Sequence, residues 1–220
     1  MRLAVFDVDG TLVDSRAAIK ASCDAAFAAM GRPAPDYDAV RQIVGLSLKD
    51  GLSRLAPDLS DPDLDRLIEG YKRGFNPART PGRPDAPLYA GAAELLQHLA
   101  GGDWKLGMAT GKSRPGVERW LQDHGWSDLF HTTHCADDGP GKPRPAMVLE
   151  AMKALGARPD QTLMIGDTSH DIEMGRAAGV ITIAVTWGFH TAQELRASDP
   201  DHVCDSFAEV TAILDRFRPG

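Results

Sequence analysis

The sequence has no long apolar run, no clustered cysteines and no excess of positive charge. No apolar stretch approaches the roughly 20 residues of a membrane-spanning helix, so we expect no membrane partner. The three cysteines, at positions 23, 135 and 204, lack the spacing of metal ligands. They fit a reduced, cytoplasmic compartment, and Asp7 and Asp9 interrupt the apolar start that a signal peptide would need.

The shortage of positive charge limits the partners further. The formal net charge is −7, whereas a nucleic-acid partner would need a basic face, so we expect no nucleic-acid partner. An anionic substrate would depend on local positive charge rather than on the field of the whole protein. No apolar face stands out unassigned, which leaves the oligomeric state as a monomer or a homodimer.

The second half of the chain alternates strand and helix patterns. After a first apolar run at 3–8, further runs predict strands at 104–110, 131–136, 162–167 and 180–186. Helical patterns predict helices near 115–123, 145–156, 170–178 and 206–217. This alternation is typical of an α/β fold, in which a doubly wound parallel sheet carries helices on both faces.

The stretch from 15 to 85 breaks this alternation. It begins at Ser15, a residue type that favours helix N-caps, and AAIKASCDAAFAAM then has strong helix propensity. Further helical patterns follow at 36–43, 47–55 and 61–75, before the Pro/Gly-rich linker RTPGRPDAP. We interpret 15–85 as a small α-helical domain inserted into a core formed by residues 1–14 and 86–220.

Polar side chains follow the carboxyl ends of four predicted strands. They are Asp7 and Asp9 after the first strand, Thr110 at the end of the second, Lys142 after the third, and Asp167 and Asp171 after the fourth. In an open parallel sheet these strand ends lie at one edge, where ligands bind. The sequence therefore predicts that these residues converge on one pocket.

The chemistry of these residues is that of phosphoryl transfer. Oxygen ligands without His or Cys suit Mg²⁺, which would offset the repulsion between a carboxylate nucleophile and a phosphate. Aspartate is an established nucleophile that forms an aspartyl-phosphate, and a second carboxylic acid two residues away can protonate the leaving alcohol and then activate water. Thr110 and Lys142 would contact the phosphate oxygens through a hydroxyl and a fixed positive charge.

Four segments resemble the motifs of the haloacid dehalogenase-like superfamily, namely DVDGT (7–11), ATGK (109–112), GKPRP (141–145) and GDTSHD (166–171). The inserted helices resemble the small α-helical cap of that superfamily, on a Rossmann-like core. The segments VGLSLKDGL (44–52) and PLYAGAAELL (87–96) are similar to its phosphoglycolate phosphatase-like branch.

The resemblance implies a role for each motif residue. Asp7 would be the nucleophile and Asp9 the general acid and base, and Mg²⁺ would be held by Asp7, the backbone carbonyl of Asp9 and Asp167. Asp171 would orient metal-bound water without touching the ion, although a carboxylate in the first turn of a helix is also favoured by the helix dipole alone. The phosphate would be bound by Thr110, Gly111 and Lys142.

The cap is expected to close over this site on hinges near 14–15 and 83–87. Gly45 permits a tight turn that could face the core, so specificity is predicted to depend on Gly45, Leu46, Ser47 and Lys49. The third motif departs from the family pattern, because Ala146 stands where an acidic residue is common and Arg144 lies inside the loop. These changes affect loop packing or the charge preferred in the substrate.

The leading hypothesis is a Mg²⁺-dependent phosphatase for a small cytoplasmic metabolite, with phosphoglycolate as one candidate substrate. A sugar phosphomutase of the same fold is an alternative, but Leu48 stands where its cap usually carries an arginine. A phosphonate hydrolase would need a cap lysine that forms an imine, for which Lys49 is an imperfect candidate. Asp9 argues against a C–halogen hydrolase, which lacks this second aspartate, and the intact motifs argue against a catalytically silent binding protein.

Overall fold

A computed structural model of the chain describes residues 1–75 and 86–219. Its strands are β1 (Arg2–Phe6), β2 (Trp104–Ala109), β3 (Thr132–His134), β4 (Thr162–Gly166), β5 (Ile181–Val185) and β6 (His202–Cys204). Its α-helices are α1 (Arg16–Ala29), α2 (Tyr37–Ile43), α3 (Leu48–Leu55), α4 (Asp61–Gly74), α5 (Ala92–Ala100), α6 (Arg114–Asp123), α7 (Ala146–Leu155), α8 (Ser169–Ala177), α9 (Ala192–Ala197) and α10 (Phe207–Arg216).

The six strands form one parallel sheet in the order β3-β2-β1-β4-β5-β6. From β1 the chain builds outward to β2 and β3, and then returns to the other side of β1 to add β4, β5 and β6. In an open α/β sheet, ligands bind where the strand order reverses in this way. That point lies at the carboxyl ends of β1 and β4, directly before Asp7 and Asp167.

Both faces of the sheet are buried because side chains alternate along each strand. Ala4 and Phe6 lie in a core cluster that includes residues of α5, α6 and α10. Leu3 and Val5 lie in a second cluster with residues of α7 and α8. The predicted doubly wound parallel sheet is therefore confirmed, and strands with two buried faces explain the continuous apolar runs.

Helices α1 to α4 form the insertion between β1 and β2, with an apolar cluster of their own that includes Phe27, Leu52 and Leu67. A Cβ added to Gly70 would lie 3.4 Å from Cα of Ala26, so the missing side chain lets α1 and α4 approach closely. The boundary at 85 and most of the predicted hinge at 83–87 lie outside the described residues, and the domain limits stay a prediction.

Ser15 directly precedes α1, but its hydroxyl makes no capping hydrogen bond. An N-cap residue normally has an extended backbone, whereas Ser15 has φ −96° and ψ 8°. Ser15 is therefore the N-cap residue of α1, as predicted, but it lacks the backbone conformation and the side-chain hydrogen bond that make serine favourable there. Within the described residues, no helix combines the length and apolarity that spanning a membrane requires.

Candidate active site

The strand ends bring three predicted carboxylates together. The amide of Asp7 donates to the carbonyl of Ile165 at 3.0 Å, which extends the pairing of β1 with β4 to the site itself. Asp167 follows β4, and Asp171 lies in the first turn of α8. Each of the three aspartates offers a carboxylate oxygen within 4.8 Å of the others, and all three side chains are buried.

Lys142 supplies the positive charge of this cluster. Its Nζ lies 2.9 Å from Oδ1 of Asp7 and 2.6 Å from Oδ1 of Asp171. These are ion-pair contacts rather than aligned hydrogen bonds. Burial disfavours the ammonium, but the attraction of Asp171 and Asp7 outweighs burial and raises the pKa of Lys142. Lys142 is therefore a permanent cation next to the predicted nucleophile.

Burial disfavours the ionised form of the Asp7 and Asp167 carboxylates and therefore raises their pKa. It raises the pKa of Asp7 from 3.8 to about 7, against the attraction of Lys142. Burial and the neighbouring charges of Asp7 and Asp171 also raise the pKa of Asp167 well above its usual range. A site that disfavours its own ionised carboxylates is one in which an added cation is strongly stabilised.

Asp167 is held from two sides by groups that the sequence analysis did not single out. Its Oδ1 accepts from the hydroxyl of Thr11 at 2.7 Å, and its Oδ2 accepts from the amide of Phe189 at 2.8 Å. A Cβ at Gly10 or Gly188 would overlap Oδ2, so both positions require glycine. Gly10 and Thr11 belong to DVDGT, whereas nothing in the sequence pattern marked the loop after β5.

Both carboxylate oxygens of Asp171 have partners, and its function in orienting metal-bound water stays a prediction. Its Oδ2 accepts from the amide of Thr168 at 3.0 Å, and its amide donates to the hydroxyl of Thr168 at 3.4 Å, which forms a capping box at the start of α8. The same Oδ2 also accepts from the hydroxyl of Thr168 at 2.7 Å. Its Oδ1 faces Lys142. Capping of α8 explains the contacts of Oδ2, whereas Oδ1 belongs to the charged cluster with Lys142.

Asp9 stands apart from the three-carboxylate cluster. Its Oδ1 accepts from Nζ of Lys112 at 2.9 Å. Thr110 is fully buried at the end of β2, and its hydroxyl accepts from the amide of Lys112 at 3.3 Å. Gly111 packs against the insertion, since a Cβ there would lie 2.9 Å from the carbonyl oxygen of Leu46. The assignment of Thr110 and Gly111 to phosphate binding stays a prediction.

The predicted specificity residues lie opposite this edge. Gly45 has φ +90°, and a Cβ there would lie 3.1 Å from Oγ1 of Thr168 in the core, so the turn that Gly45 allows does reach the core. Leu46 is buried. Ser47 is the N-cap of α3, with its hydroxyl bonded to the amide and carboxylate of Asp50, and Lys49 is exposed. Their role in specificity stays a prediction.

A cleft of about 1230 Å³ separates the insertion from the core edge. Asp7 and Asp9 line its core side, and residues 43–50 line the opposite side. Five basic side chains contribute to its walls, namely Lys49, Lys72, Lys112, Arg119 and Arg144. Acidic side chains line the same walls, and Lys72 and Lys112 pair with Glu69 and Asp9. The cations of the cleft without an ion-pair partner among the described residues are Lys49, Arg119 and Arg144.

The three buried aspartates fit a divalent cation. Oδ2 of Asp7 is buried and has no hydrogen-bond partner among the described residues, and such an orphaned oxygen is costly unless something binds it. All side-chain donors in the cluster are carboxylate oxygens, which suits hard cations such as Mg²⁺ or Ca²⁺. Asp9 is not in this cluster, so its predicted contribution would come from its backbone carbonyl, as the sequence analysis expected.

The fold and the site define a protein with a doubly wound parallel sheet and a helical insertion above a buried acidic site. The chain belongs to the haloacid dehalogenase-like hydrolase family, whose sequence model matches residues 4–185. It is 35% identical over 210 residues to "Probable phosphatase IndB" of Dickeya dadantii, covering 94% of this chain and 91% of that protein. It is also 30% identical to "Pyrophosphatase PpaX" of Oceanobacillus iheyensis, with 97% of each chain covered.

Two further similarities agree with this membership. The chain is 29% identical to a phosphoglycolate phosphatase of Vibrio vulnificus, over 97% of this chain and 96% of that one. A solved structure of a hydrolase from Pseudomonas syringae superposes with a TM-score of 0.86 at 25% identity, with 98% of each chain covered. The predicted family and enzyme class are confirmed, and the protein is a hydrolase that acts on phosphate esters.

Proposed function

We propose that the protein is a Mg²⁺-dependent phosphatase that hydrolyses a phosphate monoester of a small metabolite through an aspartyl-phosphate on Asp7. The observation that carries this proposal is the setting of Asp7. It is a buried carboxylate with one oxygen unpartnered among the described residues, it lies between the ammonium of Lys142 and the carboxylate of Asp167, and it lines the cleft.

In the first step a carboxylate oxygen of Asp7 attacks phosphorus, and the bond from phosphorus to the leaving oxygen breaks. Asp9 donates its proton to that oxygen, so the product leaves as an alcohol. Lys142 balances the negative charge of the nonbridging oxygens. Asp7, the backbone carbonyl of Asp9 and Asp167 would hold Mg²⁺, which would supply the positive charge that lets a carboxylate approach a phosphate dianion.

In the second step Asp9, now ionised, accepts a proton from a water molecule while the water oxygen attacks phosphorus. The bond from phosphorus to Asp7 breaks, which releases inorganic phosphate and restores the Asp7 carboxylate. Asp9 ends the cycle protonated, so both side chains return to their starting states. Water must reach phosphorus only at this stage, which is a function for the insertion over the cleft.

The named relatives suggest which substrates to test first. Phosphoglycolate and pyrophosphate are named for proteins 29% and 30% identical to this chain. The two other hypotheses have weaker support. Leu48, where a mutase would carry arginine, packs against the apolar cluster of the insertion. Lys49 is exposed, whereas an imine-forming lysine is normally desolvated.

The proposal is tested by assaying the purified protein on p-nitrophenyl phosphate, phosphoglycolate, pyrophosphate and a panel of metabolite phosphates. We expect activity with Mg²⁺, loss of activity in EDTA, and poor support by Ca²⁺, whose larger and looser ligand shell misplaces the attacking oxygen. Beryllium fluoride, which mimics a phosphoryl group, should be found on Asp7 in a crystal structure. A full rate in EDTA would contradict the metal assignment, and label on another residue would contradict the covalent mechanism.

A further inference from the structure

Lys112 contacts the side chain that the proposed mechanism uses as its acid and base. Its Nζ lies 2.9 Å from Oδ1 of Asp9, and the two side chains are only 12% and 14% exposed. The contact holds Asp9 in both protonation states, because the ammonium forms an ion pair with the carboxylate and donates a hydrogen bond to an oxygen of the protonated acid. Within the described part of the chain, neither side chain has a second ion-pair partner.

Asp9 differs in this respect from the other aspartates of the site. Asp167 is held by two hydrogen bonds, and Asp171 is held by Thr168 and Lys142. Among the described residues, Lys112 is the one side chain that bonds the carboxylate of Asp9. The orientation of Asp9 therefore depends on Lys112.

The backbone of Lys112 is itself fixed. Its amide donates to the hydroxyl of Thr110 at 3.3 Å, and its carbonyl accepts from the amide of Ala136 at 3.1 Å. The side chain thus starts from a rigid point at the end of β2 and reaches across the cleft wall to Asp9.

Lys112 also contacts the insertion. Its Nζ lies 5.3 Å from the ring centre of Phe75, directly after α4, a distance at which a cation and an aromatic ring attract each other. The neighbouring Gly111 packs against the turn at 45–46. One ammonium therefore joins the carboxylate of Asp9 in the core to an aromatic ring in the insertion.

We propose that Lys112 is a positioning residue, which aims the carboxyl group of Asp9 at the leaving oxygen, and that Phe75 makes this orientation depend on the position of the insertion. The inference rests on the proposed acid and base function of Asp9. Proton transfer requires the acid within hydrogen-bond reach of the oxygen, and a carboxyl that rotates freely spends part of its time outside that reach.

Positioning of an acid has a measurable signature that a structural role does not have. Donation of a proton matters more when the leaving group is more basic. Phenyl phosphate and p-nitrophenyl phosphate are similar in size, but phenolate is the more basic leaving group. A misplaced Asp9 should therefore slow phenyl phosphate more than p-nitrophenyl phosphate.

The experiment measures kcat/KM for both compounds in Lys112→Met, Lys112→Gln and Lys112→Arg at saturating Mg²⁺. We expect the phenyl to p-nitrophenyl ratio to fall about three- to tenfold in the Met and Gln variants, as part of the 10²–10⁴-fold that general acids contribute. Lys112→Arg should restore most of the ratio, and Phe75→Leu should lower it by a smaller factor. Lys72→Met is the control, because Lys72 lines the same cleft but pairs with Glu69.

A double mutant tests whether Lys112 affects the ratio through Asp9. Once Asp9→Asn has removed the acid, Lys112→Met should not change the ratio further. Equal losses on both compounds, or an unchanged ratio in folded variants, would overturn the role of Lys112 while leaving the phosphatase assignment intact. A wild-type protein without Mg²⁺-dependent activity on either compound would instead contradict the proposed function, and this role with it.

Discussion

The two sides of the cleft are held in different ways. On the core side, Asp7, Lys142 and Asp167 are at most 1% exposed and contact residues from distant parts of the chain. On the side of the insertion, Ser47 bonds within its own helix and Lys49 is exposed. The buried side holds the residues to which the proposed mechanism assigns chemistry, whereas substitutions on the exposed side have little cost to folding.

The insertion is fastened to the core at points away from the reacting groups. Arg41 and Gln42 of α2 donate to the two carboxylate oxygens of Glu194 in α9, at 2.7 and 2.6 Å. The ring of Phe189 lies in an apolar cluster with Val40, although its amide bonds Asp167. The position of the insertion is therefore coupled to a predicted metal ligand through one core loop.

The largest effect that distinguishes the two sides is expected from Asp7→Asn. It preserves size but removes the attacking charge, so kcat should fall by at least about 10³-fold on every phosphate tested. Lys49→Met, across the cleft, should leave the rate on p-nitrophenyl phosphate nearly unchanged. Steady-state assays of both variants check this comparison, after mass spectrometry has excluded deamidation of the introduced asparagine back to aspartate. Comparable losses in the two variants would remove the distinction between the sides.

The next largest loss of activity is expected at Gly10, a core residue that has no side chain to take part in the reaction. In Gly10→Ala the new Cβ would overlap Oδ2 of Asp167, and φ is +86°. Asp167 must move, so activity should fall by about 10²-fold and the Mg²⁺ concentration for half-maximal rate should rise. Gly31→Ala is the matched control, since its φ is +67° with nothing within 4 Å. If both variants lose activity equally, backbone strain rather than displacement of Asp167 is responsible.

Most of the core could be predicted from the sequence because its signals are local. An apolar run followed by a carboxylate indicates both a buried strand and its carboxyl end. The sequence therefore predicts Asp7 and Asp167 at one edge of the sheet, where the structure places carboxylate oxygens of Asp7, Asp167 and Asp171 within 4.8 Å of one another. The helix α9 and the edge strand β6 are absent from the predictions because six and three residues carry too little periodicity. The nine-residue helix α5 is absent from them as well. The interaction between Arg41 and Glu194 joins residues 153 apart in sequence, and nothing local marks such a pair.

A third effect concerns stability rather than rate. Burial raises the pKa of Asp7 from 3.8 to about 7, so its contribution to the stability of the metal-free protein is present below pH 4 and is lost as the pH rises through 7. At the proposed site Mg²⁺ would bind the ionised form of Asp7, so it should stabilise the folded state increasingly over the same range. The difference in Tm between Mg²⁺ and EDTA should therefore widen from pH 5 to pH 8. In Asp7→Asn the widening should be smaller, and a constant difference in the wild type would contradict this account.

A smaller effect is expected at the contact between α2 and α9. Arg41→Met removes the 2.7 Å ion pair with Glu194, and exposed pairs contribute about 0.2–1 kcal/mol. If this pair favours the closed arrangement, KM should rise up to about fivefold while kcat changes less. Arg66→Met is the control, because Arg66 pairs with Asp63 inside the insertion. An unchanged KM in Arg41→Met, measured on the best metabolite, would show that this contact does not affect substrate binding.

The smallest effect would test whether the exposed side determines specificity at all. Ser47 lines the cleft, but its hydroxyl also caps α3, so Ser47→Ala confounds lost capping with lost substrate contact. Ser60 provides the separation, since it caps α4 with the same pattern of bonds and does not line the cleft. Each variant should lose about 1 kcal/mol of stability.

If Ser47 contributes to specificity, Ser47→Ala should change the ratio of kcat/KM for the best metabolite to that for p-nitrophenyl phosphate by about two- to fivefold. Ser60→Ala should leave this ratio unchanged. Lys49→Met should change the same ratio, because an exposed ammonium on the cleft wall can contact a charged group of a metabolite that the aryl ester lacks. Unchanged ratios in both variants would mean that the turn at 45–47 serves only to seat the insertion on the core. Specificity would then depend on the other basic residues of the cleft, of which Arg144 is the first to change, since it lies in the loop that also carries Lys142.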